Sequence, residues 1–253
     1  MFDIKIDNEY IINEEGTSEG TQIKFKKDGF WYKQDNRGRE GLCEYLASKF
    51  LTYTNLENSE YVIYEQGKIN NTPGCRSRDF IKDSSAELIT FYRLYRNETG
   101  ADLAKSLAQM DTVKSRVEYV ISFVKSVCGV DITDYLRKIV TLDEIILNED
   151  RHVNNLALLF TGSDFVPAPI FDNGCSLLTA NYSIKSNLDI SENVKRVIAR
   201  PFSGSFSKTR EYLGKGFTYN KEQVIKWLQT EPQSFERDVL MYQIENIPSS
   251  TNT

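Results

Sequence analysis

The sequence has little histidine, no excess of positive charge and no long apolar run. Its 253 residues include one histidine, His152, which excludes histidine-rich metal sites and leaves any Ser-His-Asp triad dependent on that residue. Lys and Arg number 31 against 36 Asp and Glu, and this net charge of -5 at pH 7 predicts no direct nucleic-acid partner and no anionic membrane surface. No apolar run approaches the roughly 18 residues that a membrane-spanning helix needs.

The amino terminus and the cysteines favour a cytoplasmic protein. Met1–Lys5 alternates charged with apolar residues and has no signal-peptide core. The four cysteines are far apart and form no CxxC pair, which favours isolated reduced thiols over a disulfide framework or a zinc site. We therefore expect a cytoplasmic location, with delivery to another cell as the open alternative.

The order of the predicted elements indicates an α+β chain with two lobes. Residues 1–80 read mainly as strands with one helix, and Asp28-Gly29 predicts a hairpin because glycine accepts the positive φ of a tight turn. Residues 81–247 read as a larger helical lobe, and 248–253 as a flexible tail. A cleft between such lobes is a common place for a ligand.

Several helices are predicted from apolar spacing and capping residues. Ser84 and Glu87 form a capping-box pattern before an apolar run, which predicts a helix over 88–95. Asn220 is a suitable cap for the helix that follows it. The other helices are predicted over residues 38–51, 111–128, 131–147 and 234–244, the last of them opened by Pro232.

One polar segment carries the clearest chemical signal. Asp150 and Asn155 lie in a loop after a predicted helix, and Asp172 follows the apolar stretch that ends in Pro-Ile-Phe. A predicted hairpin between the two sites brings the three side chains to one end of a two-stranded ribbon. Phosphoryl transfer needs such a set, with Asp150 as the base for a hydroxyl nucleophile and with Asn155 and Asp172 as ligands of Mg²⁺.

A phosphate-binding half is then expected upstream. Gly20, with Gly16 before it, lets backbone amides approach an anion closely in the segment 17–24. Lys33 ends the second strand of the Asp28-Gly29 hairpin, where a kinase-like lobe supplies a lysine for the α- and β-phosphates. The following helix offers Glu40 and Glu44 as partners of that lysine.

With these motifs the sequence resembles the HipA-like serine/threonine kinases, a family known from bacterial toxin–antitoxin systems. The family's glycine-loop pattern Ser-x-x-Gly-x-Gln-x-Lys is matched at Thr17, Gly20, Gln22 and Lys24, with Thr17 in place of the serine and Ser18 one step along. Its helix pattern Glu-x-x-Cys-x-x-Leu-Ala is matched at Glu40, Cys43, Leu46 and Ala47. Its catalytic and metal-site patterns are matched at Asp150, His152, Asn155, Pro169 and Asp172.

The resemblance implies a fold, cofactors and site roles. The fold is expected to be a bilobal protein-kinase-like one, with a small antiparallel N-lobe and a larger helical C-lobe. ATP and Mg²⁺ are the implied cofactors, with an adenine-binding hinge near residues 77–80. The implied ATP-binding residues are Thr17, Ser18, Gly20, Gln22, Lys24, Lys33 and Glu40, and the helix pattern favours Glu40 over Glu44 as the partner of Lys33. For His152, packing and loop hydrogen bonding are favoured over proton transfer.

The resemblance also bears on partners. It implies a protein substrate bearing Ser or Thr, with the chain itself as one candidate through Thr17 or Ser18. Toxin-type members carry an additional N-terminal subdomain where this chain has only Met1–Gly16, so we expect a minimal kinase core. An antitoxin partner stays an open prediction.

Two other functions remain open on the sequence. The same catalytic loop occurs in kinases that phosphorylate small molecules or lipids, and an acceptor screen separates these from a protein kinase. A nucleotide-binding pseudokinase is the non-enzymatic alternative. It is not favoured, because Lys33, Asp150, Asn155 and Asp172 are all present.

Overall fold

The computed structural model describes residues 1–12, 22–81 and 85–247. The strands of these ranges are β1 (Phe2–Ile4), β2 (Lys24–Lys27), β3 (Phe30–Gln34), β4 (Tyr64–Ile69), β5 (Thr72–Arg78), β6 (Glu87–Thr90), β7 (Ala157–Phe160) and β8 (Phe165–Pro167). The helices are α1 (Glu40–Leu51), α2 (Phe91–Thr99), α3 (Leu103–Ala108), α4 (Val113–Cys128), α5 (Thr133–Ile146), α6 (Ile190–Val194), α7 (Phe206–Leu213), α8 (Lys221–Thr230) and α9 (Phe235–Asn246). A short 3₁₀ turn covers Asn8–Tyr10.

The first lobe is a five-stranded sheet with the strand order β1-β4-β5-β3-β2. The predicted hairpin is confirmed, since β2 and β3 pair antiparallel about Asp28 and Gly29, both of which have positive φ. The other strand pairs of the sheet are antiparallel as expected, except at one edge, where β1 pairs parallel with β4. Lys24 lies opposite Lys33 in the β2–β3 register, so both side chains are on one face of the sheet.

The predicted helix over 88–95 is wrong in its first half. Glu87–Thr90 forms β6, which pairs antiparallel with β7, and the helix begins only at Phe91. Thr90 caps that helix by accepting a hydrogen bond from the Arg93 amide at 3.2 Å. Pairing with a strand about 70 residues away overrides the local capping pattern, whose Ser84 lies outside the described residues.

The second lobe is mostly helical and holds the main hydrophobic core. The helix stripes of α4 and α5 contribute Val117, Val120, Leu136 and Ile139, all nearly or fully buried. The apolar face of α1 belongs to the same core, with Phe50 fully buried. Since α1 also packs on β4 and β5, this helix connects the sheet to the helical lobe.

Other sequence predictions for the helices are confirmed. Asn220 caps α8 by accepting from the Gln223 amide at 3.1 Å.

None of the helices in the described ranges combines the length and apolar character needed to span a bilayer. The proposed division of the chain near residue 80 remains a prediction, as does the tail 248–253, which lies outside the described residues.

Candidate active site

Lys33 lies where the two lobes contact each other. Its Nζ lies 2.7 Å from Oε1 of Glu44 on α1 and 2.7 Å from Oδ1 of Asp172, which follows β8. The lysine is buried, with an exposed fraction of 8%. Its ammonium also lies 5.3 Å from the ring centroid of Tyr64 on β4. The structure therefore brings the lysine from the first lobe and the carboxylate from the second together, as the sequence predicts.

The charges in this cluster stabilise one another. Burial opposes the charged form of Lys33, but the carboxylates of Asp172 and Glu44 raise its pKa well above the ordinary value. Burial likewise opposes ionisation of Asp172, yet the ammonium groups of Lys33 and Lys24 hold its pKa below the usual range. Both groups are consequently ionised at neutral pH.

Close backbone packing places Glu44 against Lys33. A Cβ on Gly41 would lie 2.5 Å from the backbone carbon of Gly74, so α1 approaches β5 more closely than any larger residue allows. Glu44 then reaches the second lobe as well, since its Oε2 accepts from the backbone amide of Asn173 at 2.9 Å. This single carboxylate contacts both Lys33 and the Asp172 loop.

The expectation that Glu40 is the partner of Lys33 is wrong. Glu40 is the first residue of α1, and its carboxylate accepts from the backbone amides of Asn36, Arg37 and Gly38 at 3.2, 2.8 and 3.1 Å. Amides before a helix start lack helical partners, and a carboxylate at this position satisfies them. The lysine partner lies one turn further along the same face, at Glu44.

The loop that contains Asp150 is held by the amide side chains on either side of it. Asn148 accepts from the Asp150 amide at 3.1 Å, and Asn155 Nδ2 donates to the Asp150 carbonyl at 3.0 Å. The Asp150 carboxylate itself is 48% exposed and is open to solvent. Cys175 connects this loop with the Asp172 loop, because its carbonyl accepts from the Glu149 amide at 3.3 Å.

Cys175 also reports on the surrounding charge. Burial and the nearby carboxylates of Asp150 and Asp172 raise the pKa of this thiol to about 12. Both predicted acidic residues therefore lie close enough to Cys175 to act on one side chain. The structure records all four cysteines as free thiols.

The side chains of Asn155 and Asp172 carry oxygens of the kind that suits a divalent cation. Asn155 is 3% exposed, and its Oδ1 has no hydrogen-bond partner among the described residues. A buried amide oxygen without a donor is costly unless a cation or water meets it. Amide and carboxylate oxygens are the ligands that Mg²⁺ prefers, with water or phosphate oxygens filling the other positions. The residues present fit Mg²⁺ in this respect.

Arg151 clamps the two loops, a role that the sequence analysis missed. The side chain is 1% exposed and forms an ion pair with Asp143 of α5 at 3.0 Å. Its guanidinium also donates to the Phe171 carbonyl at 2.8 Å and to Asn173 Oδ1 at 2.7 Å. The signal in the sequence is Asp143, an acidic residue on the otherwise apolar face of a predicted helix, which needs a buried partner.

The upstream motif is described only in part. Gln22 donates from Nε2 to the Gln34 carbonyl at 3.1 Å, and Lys24 acts electrostatically on Asp172. Thr17, Ser18 and Gly20 lie outside the described residues, so their predicted contact with phosphate stays a prediction.

His152 lies at the edge of this cluster. Its amide donates to the Asp150 carbonyl at 2.8 Å, and its Nε2 lies 3.9 Å from Asp150 Oδ2. The backbone contact agrees with the role in loop hydrogen bonding that is favoured for His152. The distance between its ring and the Asp150 carboxylate does not test that role.

Comparison with known proteins was made on sequence and on structure. The sequence matches no protein-family model and no curated protein. Among solved structures, the chain is similar to the Helicobacter pylori proinflammatory kinase CtkA, with a TM-score of 0.61 and 14% identity over 93% of this chain and 90% of that one. HipA of Shewanella oneidensis MR-1, solved with HipB and its operator DNA, gives a TM-score of 0.48 and 9% identity over 95% of this chain and 66% of that one.

The fold assignment rests on the structural similarity to CtkA. This similarity covers nearly the full length of both chains, and it agrees with the five-stranded sheet and the helical second lobe described above. The chain therefore has a bilobal α+β fold of the protein-kinase type, as in CtkA.

Proposed function

We propose that the chain is an ATP- and Mg²⁺-dependent kinase that phosphorylates serine or threonine residues of a protein. The observation that carries this proposal is the position of Lys33 Nζ, 2.7 Å from both Glu44 and Asp172. A kinase site needs a lysine for the nucleotide phosphates beside a carboxylate for the metal, and here the two come from opposite lobes.

In this proposal each polar side chain has one task. Lys33, oriented by Glu44, contacts the α- and β-phosphates. Asn155 Oδ1 and Asp172 would hold Mg²⁺, which would supply positive charge to neutralise the phosphates. The acceptor hydroxyl oxygen bonds to the γ-phosphorus, the bond from that phosphorus to the bridging oxygen of ADP breaks, and the hydroxyl proton passes to Asp150.

A small apolar cluster beside Lys33 is suited to contact the base of a nucleotide. It consists of buried Val62, Tyr64 and Cys75, with Phe80 and Phe171 packed against it. The rings of Phe80 and Phe171 lie with centroids 5.9 Å apart. Phe80 belongs to the segment 77–80, where the resemblance to the HipA-like kinases implies the adenine-binding hinge. A flat heterocycle favours such an apolar surface next to polar backbone.

The exposure of Asp150 supports a protein acceptor. With 48% of its side chain accessible, the carboxylate can receive a hydroxyl from a folded or extended polypeptide. Modification of Thr17 or Ser18 by the chain itself is one form of this activity that we predict. An antitoxin partner also stays a prediction.

The experiment is incubation with Mg²⁺ and γ-labelled ATP, followed by mapping of the modified residues. Asp150→Asn is expected to lose phosphoryl transfer while it keeps ATP binding, because the change removes the proton acceptor and leaves Lys33 and Asp172 intact. Asp3→Asn, at an exposed position of β1, is the matched control and keeps full activity. Full transfer by Asp150→Asn contradicts the assignment, and binding of ATP without transfer to any acceptor by the wild type supports a pseudokinase instead.

A further inference from the structure

A pocket of about 530 Å³ lies beside the catalytic loop, separate from Lys33 and Asp172. Its walls come from three parts of the chain: Arg37 before α1, the segment 178–193, and Phe235 at the start of α9. Because Arg37 precedes the helix that carries Glu44, the pocket is formed by both lobes.

The pocket wall is tied to the residue that precedes the candidate base. The Asn181 side chain, which lines the pocket, donates a hydrogen bond to the carboxylate of Glu149. The other oxygen of Glu149 accepts from the Ile198 amide at 3.3 Å. The pocket wall is therefore joined through one side-chain hydrogen bond to the residue that precedes Asp150 in the chain.

The backbone of the wall is held in an unusual conformation. Leu177, Leu178 and Ala180 have φ values of +52°, +64° and +57°, in the left-handed region that non-glycine residues rarely adopt. Such a conformation is unfavourable for a residue with a side chain, so the surrounding structure must hold it in place. Contacts of Thr179 do so, since its Oγ1 accepts from the Arg39 amide at 2.9 Å and donates to Glu236 at 3.3 Å. The pocket is thus preformed.

The pocket combines an apolar surface with unbalanced positive charge. Tyr182 and Phe235 line it and are 89% and 41% exposed. Arg37 and Lys185 are also exposed lining residues, and no ion pair involving either is found in the described part of the chain. The lining contains no acidic residue.

The nearby carboxylates are already engaged elsewhere. Glu236 pairs with Arg39 at 3.2 Å, and Asp189 accepts from the Glu192 amide at 2.9 Å as the cap of α6. Glu149 is engaged in the same way, by Asn181 and by the Ile198 amide. In a protein of net charge -5, two exposed cations that form no ion pair among the described residues favour an anionic ligand in this pocket.

From this geometry we infer that the pocket binds the acceptor polypeptide and selects an acidic residue close to the acceptor hydroxyl. The inference rests on the proposed function and deepens it. Arg37 and Lys185 bind the carboxylate of the acceptor segment, since an arginine can form two parallel hydrogen bonds with a carboxylate. Tyr182 and Phe235 contact the apolar part of the same segment.

Two peptides test the inference by binding alone. One is a short fluorescein-labelled peptide with a central serine flanked by glutamates, and the other has glutamine at each glutamate position. We expect the wild type to bind the acidic peptide about tenfold more tightly in fluorescence anisotropy. Arg37→Glu/Lys185→Glu is expected to abolish this preference. Lys105→Glu/Lys226→Glu changes the net charge equally at exposed positions of α3 and α8 and is expected to keep it.

The outcomes separate this inference from the proposed function. Equal binding of both peptides by the wild type overturns the inference, as does a preference that survives Arg37→Glu/Lys185→Glu. Because the readout needs no phosphoryl transfer, a preference lost in that variant supports the pocket even if the wild type transfers no phosphate. Thermal unfolding of the variant at the wild-type temperature excludes loss of the fold as the reason.

Discussion

Lys33 and Asp172 are 139 positions apart in the chain, and their charged atoms lie 2.7 Å apart. The ammonium of Lys33 also balances the fully buried carboxylate of Glu44. One cation thus compensates two anions at the junction of the lobes, and its removal leaves Glu44 without its counter-charge and Asp172 with only the weaker influence of Lys24 and Arg151. Breaking a buried ion pair from one side is costly because the remaining charge stays buried.

Lys33→Met is expected to lower stability more strongly at higher pH. Burial already raises the pKa of Glu44, and loss of the ammonium raises it further. A carboxyl whose folded pKa is raised loses stability as the pH rises above its unfolded value, near 4.5 for Glu44. Asp172 has the opposite sign in the wild type, where its depressed pKa contributes stability above about pH 4.

The measurement for Lys33→Met is urea unfolding at about pH 5 and about pH 7.5. The gap in unfolding free energy between wild type and variant is expected to grow by about 1–3 kcal/mol between these two conditions. Lys226→Met, at an exposed position of α8, is the control and is expected to show no such growth. A gap that is independent of pH contradicts the charge balance described here.

Glu44→Gln and Glu40→Gln are expected to have different consequences. Glu44→Gln removes the charge that orients Lys33, so kcat/KM for phosphoryl transfer falls by about tenfold or more. Glu40→Gln weakens the carboxylate contacts to three backbone amides and lowers stability by about 1–3 kcal/mol, with kcat nearly unchanged. Steady-state kinetics and thermal unfolding of both variants check this. If Glu40 were the partner of Lys33 instead, Glu40→Gln would be the variant with the lower kcat/KM.

The sequence predicts what depends on local pattern and fails where distant contacts decide. Asp28-Gly29 and Asn220 act on their nearest neighbours, so the hairpin and the α8 cap could be read directly. Glu40 and Glu44 are one turn apart on the same helix face, and periodicity cannot tell which one reaches Lys33. That choice depends on where α1 begins and on its close approach to β5.

The spacing of polar residues predicts which side chains belong to the candidate site, but it does not predict the residues with which they pair. Asp150, Asn155 and Asp172 stand out because polar residues follow apolar runs at the spacing of a catalytic loop. Asp143 on an apolar helix face indicates that a buried partner is needed, but helix periodicity does not identify Arg151 of the following loop as that partner. Pairing of β6 with β7 likewise depends on the fold as a whole.

Asn155→Ala is expected to raise the Mg²⁺ concentration needed for half-maximal activity. The change removes the buried Oδ1 that has no other partner among the described residues, so one oxygen ligand is lost. The expected increase is about tenfold or more, measured as phosphoryl transfer against Mg²⁺ at fixed ATP. Asn187→Ala, an exposed position in the segment before α6, serves as the control. An unchanged Mg²⁺ dependence in Asn155→Ala removes this side chain from the metal site.

Asp143→Asn is expected to lower the free energy of unfolding by about 3–5 kcal/mol, because it leaves the Arg151 guanidinium buried without a counter-ion. Arg151→Met removes the cation and the bonds to the Phe171 carbonyl and Asn173 as well. Because the two side chains interact directly, the double variant is expected to lose less than the sum of the single losses, by about 1–3 kcal/mol. Urea unfolding of the four proteins measures this coupling, and Arg93→Met, which breaks an exposed pair with Glu87, is expected to cost about 0–1 kcal/mol. If the losses of unfolding free energy at Asp143 and Arg151 are additive, the two side chains do not stabilise one another. That result contradicts an arrangement in which Asp143 of α5 orients Arg151 and Arg151 in turn bonds to both loops.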